Sequence, residues 1–374
     1  MRHQRLRRTR GGGLAGVLAP LFAVAALGCA GAASHTSEPD LAGVVVVPER
    51  WMSPYDRASD LDSPAYWSGQ GRSWVIATAK ATDDLWLFHA PSGRLVRRIG
   101  RGGDDPGEFD RPNGIAVIGD LLLVVERDNA RVQVLSLPEF TPLGSFGQSE
   151  LVFPYGIAFR PNDDGSIDVF VTDDYGNEAD LAEGTEPRGD FTRRVKHYRL
   201  HVDPAAPEGS RVDARLVRAF GEAEGPGALR IVETIQLDAA QDLLLVTDEF
   251  GYEQEAYSLD GRYLGRTIAA DVYRHGDPEG VMLYRCGASD GYWILTDQGD
   301  TRSVFHVLER STFEHLGSFA GEATANTDGI WLTQERVENL GAGALFAVHD
   351  DGGLAAFAWS DIAAALGLRG DCGP

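Results

Sequence analysis

Short apolar runs bounded by Gly, Pro, Asp and Asn follow one another along the chain from about residue 43 onward. Some alternate with polar residues and others are apolar throughout. Both patterns predict β-strands, and no helical pattern of roughly 10–15 residues separates them as a parallel α/β sheet would require. One unit recurs. Each copy opens with a short strand introduced by turn residues: Pro64-Ala65-Tyr66-Trp67, Gly114-Ile115-Ala116-Val117, Gly156-Ile157-Ala158-Phe159, Thr234-Ile235-Gln236-Leu237, Gly280-Val281-Met282-Leu283 and Gly329-Ile330-Trp331-Leu332. A second strand follows each opening and ends in polar residues, as in Leu121–Asp128 and Leu243–Glu249. A third comes next, and in the first five units a fourth closes the pattern, as in Leu143–Phe146 and Leu316–Phe319.

Four strands per unit make a propeller blade, so the expectation is an all-β protein, a six-bladed β-propeller with four-stranded antiparallel blades, over residues 43–374. The units start 50, 42, 78, 46 and 49 residues apart, and the longest interval holds an acidic, strandless insert from Gly176 to Arg194. Gly43–Pro48, with four Val in succession, is the candidate strand to close the ring. Only Ser360–Leu368 has apolar residues spaced for one helix face.

Composition agrees. The 374 residues are 43% hydrophobic and include 45 Gly and 18 Pro, which suits a large core with many turns and excludes disorder. The formal charge of −22 argues against nucleic acid or an anionic membrane as partner, because phosphates would be repelled, and favours bound cations.

The first ten residues carry five Arg and no acid, and an apolar stretch from Leu14 to Leu27 follows. This predicts an export signal over residues 1–28. Ala26-Leu27-Gly28-Cys29 is similar to a bacterial lipobox, which would make Cys29 a lipid anchor and residues 29–42 a linker; ordinary cleavage near Ala30-Gly31-Ala32 is the alternative. The expectation is thus an exported monomer, either a lipoprotein anchored in the outer membrane or a periplasmic or extracellular protein, touching a membrane only through that anchor. Losing residues 1–28 takes the charge to −27. In an oxidising compartment Cys286 and Cys372 either bridge, tying the C-terminal tail to the fifth unit, or stay as two buried thiols.

In a propeller, equivalent positions of successive units converge on one rim of the central channel. Before the first strands stand Asp62-Ser63, Asn113, Tyr155, Glu233, Asp277 with Glu279, and Asp328. After the second strands stand Lys80, Glu126-Arg127-Asp128, Asp173-Asp174, Asp248-Glu249, Asp297-Gln298 and Asp350-Asp351. Crowded carboxylates raise one another's pKa and call for cations. Carboxylate, amide and carbonyl oxygens without His or Cys suit Ca²⁺ best, with Mg²⁺ or Mn²⁺ second. A single Asp at a strand end is an ordinary turn former, but Glu233 and Glu279 are not, and they recur at one blade position. His275 and His349 sit near the same rim, where an isolated His is more often structural.

Asp62-Ser63-Pro64-Ala65-Tyr66-Trp67, Pro112-Asn113-Gly114-Ile115, Tyr155-Gly156, Asp277-Pro278-Glu279-Gly280, Asp297-Gln298-Gly299 and Asn326-Thr327-Asp328-Gly329-Ile330 resemble, in order, motifs of the bacterial β-propeller phytases. The resemblance spans roughly residues 58 to 368. It implies a secreted, calcium-dependent phosphatase acting on inositol hexakisphosphate or a similar small phosphoester, with several Ca²⁺ ions. Their ligands would be Asp62, Tyr155, Glu233, Asp248, Glu249, Asp277, Glu279, Gln298 and Asp328. Lys80 and Arg127 would bind substrate phosphates, and Glu233, Glu279 and Tyr155 would serve catalysis. Departures are Ser63 in the family's Asp-Asp-Pro opening, Val232-Glu233-Thr234 for Thr-Glu-Gly, and Asp174 where the family has Lys. Arg193 or Arg194 could replace that charge. Two other readings use the same rim: a calcium-dependent propeller esterase or lactonase, and a binding lipoprotein, since the second blade resembles an NHL repeat.

Overall fold

The computed structural model describes residues 41–174, 189–268, 272–274 and 276–372. The export signal, Cys29, most of the linker, His275 and most of the insert lie outside the described residues. Two short strands come first, β1 (Val44–Val46) and β2 (Trp51–Met52). Blade 1 is β3 (Leu61–Gly69), β4 (Arg72–Ala79), β5 (Asp84–His89) and β6 (Arg94–Ile99). Blade 2 is β7 (Pro112–Ile118), β8 (Leu121–Glu126), β9 (Arg131–Ser136) and β10 (Thr141–Phe146). Blade 3 is β11 (Pro154–Pro161), β12 (Ile167–Asp173), β13 (Val195–Val202) and β14 (Val212–Phe220). Blade 4 is β15 (Val232–Asp238), β16 (Leu243–Asp248), β17 (Glu253–Tyr257) and β18 (Tyr263–Ile268). Blade 5 is β19 (Asp277–Cys286), β20 (Asp290–Gln298), β21 (Val304–Glu309) and β22 (His315–Ala320). Blade 6 has β23 (Ile330–Val337), β24 (Gly341–His349) and β25 (Gly353–Ala358), and the helix α1 (Trp359–Leu366) follows. The strands β3 to β25 form six sheets, antiparallel and in sequence order within each blade, so the expected six-bladed propeller is the observed one.

The closing strand differs from the expectation. Trp51–Met52, not the valine run, completes blade 6, with Trp51 opposite Ala356 and Met52 opposite Ala355. Val44–Val46 instead runs parallel to β22 as a fifth strand on blade 5. The reason lies in the side chains. Val45 and Val46 stay exposed, whereas the Trp51 ring packs between blades 6 and 1 and its Nε1 donates to the Ala90 carbonyl (3.0 Å).

Blade faces are apolar on both sides because each blade is covered by two neighbours. Among the described residues the core falls into six clusters, one at each blade-to-blade contact. The contact between blades 5 and 6 also takes in α1, whose Trp359 stacks on Tyr284 (centroids 3.9 Å apart). Gly367 ends α1 in the left-handed conformation (φ 69°). A disulfide joins Cys286, the last residue of β19, to Cys372, so the first of the two alternatives for these thiols is realised. No described helix is long and apolar enough to cross a membrane.

Candidate metal centre

In five of the six blades the innermost strand begins with an irregularity that redirects one side chain; in the sixth the irregularity lies later, between Thr333 and Arg336. The register between first and second strands shifts between Leu61 and Pro64, Pro112 and Ile115, Pro154 and Ile157, Val232 and Ile235, and Pro278 and Val281. Such bulges leave an extra residue unpaired and redirect it. The redirected residues are Asp62, Asn113, Tyr155, Glu233 and Glu279; Asp328 holds the matching place before Gly329 in blade 6. Small residues follow because the strands approach one another closely. A Cβ on Gly114, Gly156 or Gly329 would run into the carbonyl oxygen of Tyr155, Glu233 or Asp62 on the next blade.

Threonines on the second strands stitch this ring together. Ser63 N–H donates to Thr78 Oγ1 (3.0 Å), which donates to the Asn113 carbonyl one blade on (2.7 Å). Gly156 N–H and Thr172 Oγ1 repeat the link to the Glu233 carbonyl (2.7 and 2.8 Å), and Thr247 Oγ1 reaches the Glu279 carbonyl (3.3 Å). The sequence reading missed these residues, although the recurring Thr-Asp pairs at 172, 247 and 296 carried the signal.

Asp62, Lys80, Tyr155, Glu233, Glu249, Glu279, Gln298 and Asp328 line one cavity of about 180 Å³. Seven of the nine expected ligands therefore meet, together with one of the two expected basic residues. Five carboxylates face a single ammonium. Lys80 Nζ lies 2.9 Å from Asp62 Oδ1 and 3.1 Å from Asp328 Oδ2, with Asp60 Oδ1 at 3.6 Å. Burial alone would lower its pKa, but Asp62, Asp328, Tyr155 and Asp60 outweigh that and hold it well above the ordinary lysine value. Asp328 also accepts from the Gln298 amide. Burial is the main cause that pushes Asp328 up to about 7, against the pull of Lys80 and with the push of Asp62. Glu279 is driven well above the usual carboxylate range by burial and then by Asp328, Glu249 and Asp62.

The other expected site residues are elsewhere. Asp248 turns back into its own blade, where its carboxylate accepts from the backbone N–H groups of Arg230 (3.1 Å) and Ile231 (3.0 Å), and burial raises it to about 6. Asp173 and Asp297 cap the corresponding loops in the same way. All three strand-end aspartates are thus engaged within their own blades, Asp173 also with Lys196 Nζ (2.6 Å) and Asp297 with His306 Nε2 (3.3 Å). Asp277 is outside the cavity and accepts from the Tyr252 phenol. Arg127 is withdrawn as well: its guanidinium lies 4.2 Å from the Phe153 ring centroid and its Nε donates to Asp128 (2.7 Å). Arg194 does not replace the missing family lysine as a substrate-facing charge. It is fully buried, donates to the Leu229 carbonyl (3.2 Å) and lies 3.7 Å from Asp174. His349 accepts from Ala325 N–H (3.2 Å) and is structural.

The donor set fits a hard divalent cation. Carboxylate, phenol and amide oxygens converge, and one lysine cannot neutralise five carboxylates. A second observation points the same way. Among the described residues neither amide atom of Asn113 has a hydrogen-bond partner, although the residue is fully buried at the ring position between Asp62 and Tyr155. Leaving such a group unsatisfied costs about 1–3 kcal/mol; a cation held in the ring would engage the Oδ1, and the Nδ2 donor needs an acceptor such as water. Asp60, Asp328 and Asp351 further bring one carboxylate oxygen each within 4.8 Å of one another beside the cavity.

No family model and no curated protein sequence matches the chain. Among solved structures, a gluconolactonase from Xanthomonas campestris is similar at 16% identity, with 81% of this chain and 87% of that chain covered and a TM-score of 0.52. Regucalcin from Agrobacterium tumefaciens, a calcium-binding protein, is similar at 12% identity, with 84% of this chain and 95% of that chain covered and a TM-score of 0.50. At these identities the likeness is one of fold: the chain shares the β-propeller architecture of both.

Proposed function

We propose that the protein is a calcium-dependent hydrolase of small, oxygen-rich carboxylic esters or lactones, acting at the acidic mouth of the channel. The observation that carries this reading is the convergence of Asp62, Glu233, Glu249, Glu279 and Asp328 with Tyr155 and Gln298 in one cavity containing a single cationic side chain. That a gluconolactonase and a calcium-binding protein share the fold makes these two chemistries the first to test. The cavity carboxylates would hold the cation, which when bound supplies Lewis-acid polarisation of a carbonyl oxygen. Lys80, kept protonated by Asp62 and Asp328, presents an ammonium to negative charge developing on the substrate. A carboxyl group with a raised pKa, such as Asp328, is suited to take a proton from the attacking water near neutral pH.

A polyanionic substrate suits the mouth less well, since Arg127 is stacked away on Phe153 and position 174 carries an acid. Phosphomonoester hydrolysis of the phytase kind nonetheless stands as the second reading. It is favoured by the meeting of seven phytase-like ligand positions with Lys80. The disulfide supports a location outside the reducing cytoplasm for either activity.

The deciding experiment offers the purified protein gluconolactone, p-nitrophenyl acetate, p-nitrophenyl phosphate and phytate, with calcium and with chelator. Calcium-dependent hydrolysis of the lactone or ester, lost in Glu279→Ala while the fold persists, is the expected result. Phosphate release without lactone or ester turnover would transfer the assignment to the second reading. Calcium binding with no turnover of any of the four would refute both and leave a binding protein.

A further inference from the structure

The opposite end of the channel has a different chemistry. Downstream of the bulges the innermost strands enclose a cavity of about 430 Å³, within the range of small-molecule sites, roughly 300–1,000 Å³. Its apolar lining includes Ile157, Phe159, Met282, Trp331 and Leu332, all half-buried and each also packed against the core cluster at a blade contact. Nothing in the acidic centre explains an apolar wall of this size.

Two guanidinium groups belong to the same cavity. The backbone of Arg285 is clamped across the blade contact by the Gln334 amide, which accepts from Arg285 N–H and donates to its carbonyl (both 2.8 Å). The Arg285 guanidinium donates to the Leu237 carbonyl (3.4 Å), and burial lowers its pKa against the pull of Asp238 and with the push of Arg310. Among the described residues no carboxylate lies within 4.0 Å of it. Arg160 donates through Nη2 to Asp168, a carboxylate that also takes bonds from His197 and Arg199, and its buried Nε has no partner among the described residues. In a chain of formal charge −22, an arginine beside an apolar cavity whose nearest acting carboxylate, Asp238, is already bridged to Arg310 has capacity for a further anion.

We propose that this mouth binds a small amphipathic carboxylate, its alkyl or aryl body in the channel against Phe159, Met282 and Trp331 and its carboxylate on Arg285, with Arg160 at the same wall. An arginine fork matches a carboxylate bidentately, and the apolar body supplies the area term. The cavity begins at the residues that follow those of the acidic centre, but its arginines belong to the far ends of the same strands, and binding there does not depend on the activity assigned to the centre.

Calorimetric titration of the calcium-loaded protein with sodium octanoate, and with octanol as the uncharged counterpart, tests the proposal. Octanoate is expected to bind saturably. Arg285→Gln should weaken it about tenfold or more, the worth of one charge-assisted pair, while leaving octanol unchanged. Met282→Trp, which fills the channel, should abolish binding of both, and Glu279→Gln at the far end should change neither. Equal weakening of octanoate and octanol in Arg285→Gln would overturn the carboxylate assignment. Undiminished octanoate binding in a folded Met282→Trp protein, or no saturable binding to the wild type, would overturn the site itself. If Arg285→Gln does not fold, competition of octanoate by benzoate but not by benzyl alcohol in the wild type reads the same charge preference.

Discussion

Replacing Glu279 by Gln is expected to stabilise the calcium-free protein and to remove much of the stability that calcium adds, so the sign of the effect depends on the cation. Glu279 is buried, and the carboxylates of Asp328, Glu249 and Asp62 act on it with only Lys80 opposing them. Two like charges roughly 5 Å apart at an effective dielectric near 20 repel by about 3 kcal/mol. With partial protonation relieving part of that strain, the calcium-free gain from the neutral amide is on the order of 1–3 kcal/mol. A domain of roughly 330 residues has an unfolding entropy of about 0.7 kcal/mol/K, so 2 kcal/mol is about 3 °C. At a hundredfold excess over Kd, calcium adds about 2.7 kcal/mol, or about 4 °C; a tenfold weaker site keeps about half of this. Scanning calorimetry in chelator and in calcium at pH 7.5, with a calcium titration of both proteins, reads all of these quantities. A Glu279→Gln protein that melts several degrees lower in chelator, or that keeps the full calcium shift, would refute the electrostatic account of the centre.

The same cluster makes stability depend on pH. Asp328 titrates near 7 in the folded chain against an ordinary value of 3.8. Between those values the folded state holds a proton that the unfolded state has released, so the calcium-free protein should lose stability as pH rises from 4 to 7. The upper bound is about 4 kcal/mol. Saturating calcium should flatten the dependence; a calcium-free melting temperature that rises over that interval would show that the carboxylate is not raised.

Three further perturbations separate scaffold from site. Thr172→Val strands the Gly156 N–H and the Glu233 carbonyl, and should cost about 2–3 kcal/mol in urea unfolding while also weakening calcium binding through Glu233. Asp248→Ala leaves the Arg230 and Ile231 N–H groups without their acceptor, so it should lower stability by about 1–3 kcal/mol yet leave calcium affinity within twofold by titration. Cys286→Ser with Cys372→Ser opens a crosslink spanning 86 residues, and the oxidised wild type should be the more stable by about 2–4 kcal/mol in denaturant titrations.

The blades were legible because the physics that builds them is local. A strand that meets its neighbour backbone to backbone needs Gly or another small residue at its start, and that requirement printed the repeat on the chain at 114, 156, 280 and 329. The ring residues Asn113, Tyr155, Glu279 and Asp328 were legible for the same reason, since each precedes one of those glycines, whereas Asp62 and Glu233 precede Ser63 and Thr234. The second set of positions was read too generously. Successive strand residues point to opposite sides, so of Asp248 and Glu249 only one reaches the channel, and the ladder pairing of Asp248 with Val232 and Glu253 decides which. Sequence pattern locates the pair but not its phase.

Phase alone is still insufficient, as Arg127 demonstrates. It occupies the place that Lys80, Glu249 and Gln298 hold in their blades, yet the cavity does not include it. Phe153 at 4.2 Å and Asp128 at 2.7 Å give its guanidinium an aromatic face and a carboxylate outside the cavity. Lys80 has no such exit. With Asp62, Asp60 and Asp328 all within 4.0 Å of its ammonium, it is held inside. A basic side chain therefore enters or leaves this mouth according to which partners its flanking loops offer, a property of residues distant in sequence such as Phe153 and Asp328. That dependence on distant partners is why spacing put Lys80 and Arg127 at one rim and could not tell which of the two enters the cavity.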